Sequence, residues 1–126
     1  MTRALAIFTV SAGGMRLRVR LLASVRDVDR EFRKGRPRRN GNVVHAYFES
    51  SVRARARTVG TIALPADGNL PELVPHEVAH AVTHHLANWS PEGGFTWQGD
   101  DERLATTIGL LCARVRAGLE ARGVEA

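Results

Sequence analysis

The chain has 126 residues, 44% hydrophobic and 25% charged, a length that fits one domain with its own core and a mix that excludes a wholly disordered polymer. No apolar run nears the ~18 residues of a membrane-spanning helix, and a single cysteine, Cys112, excludes an internal disulfide or a zinc site made of several thiolates. The net charge of +5 is divided unevenly, with 14 Lys/Arg against 4 Asp/Glu in residues 1–60 and 4 against 9 in residues 61–126.

Ala4–Val10 joins β-branched, aromatic and aliphatic residues and reads as a strand. It is at the short limit of a signal-peptide apolar region, roughly 7 residues. Read as a strand, and with one cysteine fitting a reducing compartment, it leaves the cytoplasm as the expected location. Ser11-Ala12-Gly13-Gly14 is turn chemistry. Met15–Leu22 alternates Leu17, Val19 and Leu21 with Arg16, Arg18 and Arg20, a strand with one arginine face. Ser24 before Asp27 is a helix-starting cap, and Val25, Val28 and Phe32 follow at helical spacing until Lys34-Gly35. Residues 35–41 are a basic loop rich in breakers. Val43–Phe48 and Thr58–Leu64 are strand candidates, separated by the polar, arginine-rich Glu49–Arg57. Glu72–Ala87 has helical apolar periodicity with Pro71 near its start, and Pro75 shifts the expected start toward Val74 or His76. Trp89–Gly99 reads as a loop, and Asp100 caps a last helix running to about Ala121. This order predicts a single α+β domain over residues 1–126, with a small, mostly antiparallel sheet packed on two helices.

His76-Glu77-Val78-Ala79-His80 is an HExxH motif inside the first of those two helices. Positions i and i+4 share a helix face about 5–6 Å apart, so two imidazoles there can converge on one zinc ion. The glutamate beside the first histidine can take the proton of a zinc-bound water, whose pKa the metal brings to about 7. A catalytic zinc usually has three protein ligands. His84 lies about 12 Å along the helix axis from His76 and cannot easily join. No glycine follows His80 to turn the chain back, as HExxHxxGxxH would need. Glu102 is the best candidate, because Ala105, Thr106, Gly109 and Ala113 share its helix face and small residues allow close helix approach. Asp101 and His45 are the substitutes, and favouring the positive helix N-terminus is the plain alternative role for Glu102.

The HExxH helix, an E-x-x-A opening on the next helix (Glu102 to Ala105) and the preceding strand Gly60-Thr61-Ile62-Ala63-Leu64 resemble the gluzincin-type zinc metallopeptidases, in particular compact ImmA/IrrE-like proteins of phages and bacteria. The resemblance covers roughly residues 58–113 and carries no helix-turn-helix segment. It implies a zincin-like fold, zinc held by His76, His80 and Glu102, and Glu77 as general base. It also implies an extended peptide substrate paired to a strand edge, here Thr58–Leu64 or Val43–Phe48. The oxyanion formed in peptide hydrolysis needs a donor, and Tyr47, His84, His85 and Arg103 are the candidates. The function expected is therefore zinc-dependent endopeptidase, with a protein or peptide substrate and no membrane partner. The alternative is a non-catalytic zinc-folded module that docks its basic half on DNA or an acidic protein.

Among the remaining residues, Trp89, Phe95 and Trp97 read as an aromatic cover over helix ends, or as cleft lining. Phe32 and Phe48 read as core, and Cys112 as a small buried hydrophobe. Arg36, Arg38 and Arg39 have no interleaved aromatics, so a nucleic-acid site is not expected from that loop.

Overall fold

A computed structural model describes residues 3–34, 36, 41–51, 58–89 and 97–126. A four-stranded sheet is built from β1 (Ala6–Ala12), β2 (Met15–Leu22), β3 (Tyr47–Ser50) and β4 (Thr58–Pro65), in the order β1-β2-β4-β3, with period-two alternation in β1 and β2 and a largely buried β4. The fold class is α+β, as expected, but the sheet is mixed. β1/β2 and β3/β4 are antiparallel, whereas the central β2/β4 pair is parallel. A parallel pair needs a crossover, and helix α1 (Val25–Arg33) with β3 occupies the chain between β2 and β4.

The strand Met15–Leu22 has the bounds its alternation predicts. β1 begins and ends two residues later than expected, and the turn shrinks to Gly13 and Gly14 at φ +57° and +79°. Two successive left-handed positions make the tight hairpin turn whose twist matches the strands, and glycine takes them without steric cost. β3 starts four residues later than expected and reaches Ser50.

Ser24 caps α1 as expected, its Oγ accepting from the Asp27 amide at 3.1 Å. Ser24→Ala is expected to cost about 1 kcal/mol, read as a fall of a few degrees in thermal midpoint. A midpoint unchanged by the substitution would show the cap to be idle.

Helices α2 (Leu70–Trp89) and α3 (Trp97–Glu120) cover one sheet face. Leu17, Val19 and Leu21 of β2 and Ile62 and Leu64 of β4 meet Val74, Val78, Ala81 and Val82 of α2, and Leu111, Val115 and Leu119 of α3, in one buried cluster. Each of these valine, leucine and isoleucine side chains contributes about 1.5–3 kcal/mol when buried. α1 lies against the opposite sheet face through the buried Val28 and covers only part of it.

α2 starts earlier than Pro75 suggested. Asn69 supplies the missing start signal: its carbonyl accepts from the Leu73 amide at 2.9 Å and its Nδ2 donates to Glu72 Oε2 at 2.9 Å. Pro75 removes one donor, the partner of the Pro71 carbonyl, and that carbonyl instead accepts from Arg116 Nη2 at 3.5 Å. Among the described residues, no helix is long and apolar enough to cross a membrane.

Candidate metal centre

The buried stripe of α2 runs through Val74, Val78, Ala81 and Val82. His76 and His80 flank that stripe and are exposed, while Glu77 falls at its edge and is buried. The spacing thus delivers what the motif needs: two imidazoles at the surface, with a carboxyl held beneath them.

The Nε2 atoms of His76 and His80 are 3.2 Å apart, with ring centroids 4.9 Å apart and planes at 78°. Two imidazole nitrogens held tetrahedrally by one zinc, each at 2.0–2.1 Å, would lie about 3.3 Å apart. The pair therefore fits a shared zinc ion, and a proton on one nitrogen could bridge the same gap. Glu77 Oε2 is 3.8 Å from His76 Nε2, and its side chain is 6% exposed against 65% for His76. Burial raises the Glu77 pKa above the ordinary carboxyl value, while the charges of His76 and His80 pull it down.

A cleft of about 880 Å³ runs between α2 and β3, and His76, Glu77, His80, His84, Tyr47 and Phe48 are among its lining residues. The His84 ring packs on Phe48 at 5.7 Å between centroids. β3 is the sheet edge on this side. Of the two strands expected to offer an edge, Thr58–Leu64 is therefore excluded: β4 is paired on both sides, to β2 and to β3.

The four oxyanion candidates separate into two groups. Tyr47 and His84 line the cleft; His85 and Arg103 are not among its described lining residues. The Tyr47 hydroxyl donates to Glu31 Oε1 at 3.4 Å, and burial raises its pKa. His85 is buried and its Nδ1 has no hydrogen-bond partner among the described residues. Its pKa is lowered by burial first, then by the charges of Arg103 and His84.

Glu102 and Asp101 are exposed on α3, and His45 is exposed just before β3. Among the described residues, no group of three or more His, Cys, Asp or Glu side chains stands close enough to hold a metal ion. The face of α3 that carries Glu102 is not the packed one, contrary to expectation: Ala105, Thr106, Gly109 and Ala113 are exposed, and α3 buries Thr107, Leu111, Cys112, Val115 and Leu119 instead. The large aliphatic residues, having most apolar area to remove from water, decide which face turns inward. Cys112 is buried as expected, and Phe32 and Phe48 are half-buried. α3 begins at Trp97, so Asp100, expected as its cap, lies inside the first turn instead. Phe95, Arg38, Arg39 and the side chains of Trp89, Trp97 and Asp100 lie outside the described residues.

Sequence reasoning missed the partnership of Phe48 with His84, because only the β3–β4 register brings that ring to the α2 face. The available signal was Gly60. A Cβ there would overlap the Glu49 carbonyl and come within 2.6 Å of the Phe48 ring. Compared with known proteins, the chain matches no family model, no curated protein and no solved structure.

Proposed function

We propose that the chain is a zinc-dependent endopeptidase of zincin-like fold that acts on an extended protein or peptide segment in the cytoplasm of a bacterium or in a phage-infected cell. The observation that carries this reading is the pair of Nε2 atoms 3.2 Å apart, with the buried Glu77 carboxyl 3.8 Å from one of them, in a cleft bordered by an edge strand. The resemblance of HExxH and E-x-x-A to compact gluzincins supports it further.

His76 and His80 are the two imidazole ligands. Glu102 is proposed as the third, with Asp101 and His45 as substitutes. Zinc held there supplies Lewis acidity, which brings the pKa of water to about 7 and polarises a peptide carbonyl. Glu77 accepts a proton from the attacking water and delivers it to the departing amine. A carboxyl with a raised pKa suits that exchange near neutral pH better than an ordinary one. The main chain of β3 aligns the substrate by strand addition. His84, lining the cleft beside the pair, is the favoured oxyanion donor.

The test is elemental mass spectrometry on the wild type, His80→Ala and Glu102→Ala, purified in parallel and reconstituted with zinc. Close to one zinc per chain is expected in the wild type, falling to background without His80 and sharply without Glu102. Zinc retained by Glu102→Ala moves the third ligand to Asp101 or His45. A wild type that binds no zinc overturns the reading.

A further inference from the structure

The sheet has a second face, and it is strongly basic. Arg16, Arg18 and Arg20 occupy alternate positions of β2 on the side away from the buried Leu17, Val19 and Leu21. Their cross-strand neighbours on β1 are Ser11, Thr9 and Ile7, and Arg18 faces Thr61 on β4. α1 covers one end of this face, and a groove of about 1190 Å³ follows it, lined by Arg3, Arg20, Arg26, Arg30, Arg33 and Lys34 and by the acidic Asp27, Asp29 and Glu31, of which Asp27 makes no ion pair among the described residues.

The acidic residues there are largely committed. Glu31 pairs with Arg20, Asp29 with Arg33 at 2.9 Å and Glu49 with Arg36 at 3.1 Å. Arg16, Arg18, Arg26, Arg30 and Lys34 are exposed and make no ion pair among the described residues. Five cations thus face water on one side of a small domain. Bringing like charges together destabilises the folded chain unless an anion joins them.

We propose that this face is a docking surface for the phosphate backbone of duplex nucleic acid, independent of the sequence of the duplex. Three features select that occupant. Four of the five cations are arginines, whose planar fork matches phosphate oxygens in a bidentate manner. Alternate residues of a strand repeat at about 6.6 Å, so the β2 arginines form a regular line. Phosphates along a nucleic-acid strand are also regularly spaced. The outward residues of β1 and β2 include no aromatic ring on which an unpaired base could stack, which favours the duplex over a single strand. The sequence placed such a role no more finely than the basic half of the chain; the structure gathers the charge on one sheet face and α1. This face lies across the sheet from α2, so the proposal does not depend on the peptidase reading.

The test uses the full chain and a fluorescein-labelled 20-base-pair DNA of arbitrary sequence, followed by anisotropy from 50 to 200 mM salt. With four to five phosphates neutralised, the logarithm of the affinity should fall with slope about −4 against log salt, a loss of a few hundred-fold across that range. Arg16→Glu with Arg18→Glu should weaken binding at least about tenfold at fixed salt and flatten the slope by about two. The melting curve should be preserved, since both side chains are exposed. Arg122→Glu, at the far end of α3, and His80→Ala should bind as the wild type does. Binding that is undetectable, unchanged in the double variant, equally lost in Arg122→Glu, tighter to a single strand of the same length, or equally well competed by polyglutamate would each overturn the proposal.

Discussion

Replacing Glu77 by glutamine should leave zinc on the protein and lower peptide hydrolysis by about 10²–10⁴-fold, the usual contribution of a positioned general base. Glutamine keeps the length and shape of the side chain but cannot accept the proton. Metal content should be unchanged, because the imidazole nitrogens lie on His76 and His80. The variant also has a stability signature. Burial raises the pKa of Glu77 in the folded chain. The folded state therefore binds more protons than the unfolded state between the ordinary carboxyl value of about 4.3 and the folded value. Stability contributed at this position falls as pH rises through that window and stays lower above it. The metal-free Glu77→Gln protein should lack this fall and melt at or above the wild type at pH 7. Zinc lost together with activity, or activity retained, would remove Glu77 from the proposed role.

Gly60→Ala should be among the most damaging single-methyl changes in the chain. The added carbon would overlap the Glu49 carbonyl and meet the Phe48 ring at 2.6 Å. Overpacking typically costs about 1–3 kcal/mol, and a main-chain neighbour that cannot rotate aside places this site at the upper end. A drop of roughly ten degrees in thermal midpoint is expected. Because the displaced strand is the wall of the cleft, hydrolysis should fall further than zinc content does. Gly109→Ala is the matched control: its Cβ would meet nothing within 4 Å, and alanine gains about 1 kcal/mol over glycine inside a helix. Equal melting curves for the two variants would refute the close approach at Gly60.

The parts of the fold governed by short-range rules were legible. Met15–Leu22 alternates cleanly, Ser24 has a donor three residues on, and HExxH falls on a helix face whichever residue begins the helix. Two other features were not legible because they depend on competition between distant parts. The parallel pairing of β2 with β4 has no local periodicity, since it joins Arg16–Leu22 to Thr58–Pro65 across α1 and β3. The small-residue face of α3 looked like a contact surface, but Leu111, Val115 and Leu119 on another side had more apolar area to bury. Pro75 misled for a different reason. A proline penalty in the helix interior assumes an unpartnered carbonyl, and Arg116, 45 residues beyond Pro71, donates to that carbonyl. The imidazole pair was readable because both side chains lie about one helical turn apart. A third ligand of the kind proposed had no such local spacing to show it, and among the described residues none joins the pair.

The shortest strand of the sheet is the one beside the proposed chemistry. β3 has four residues, a single neighbour in the sheet and only half-buried apolar side chains, whereas β2 and β4 have eight residues each and pair on both sides. Local opening is least costly where few ladder bonds and little apolar area are lost. Amide hydrogens of Tyr47–Ser50 should therefore exchange with solvent well before those of Leu17–Leu21, without the core opening. The wall of the cleft can then loosen and close again, while the helix carrying His76, Glu77 and His80 keeps its place.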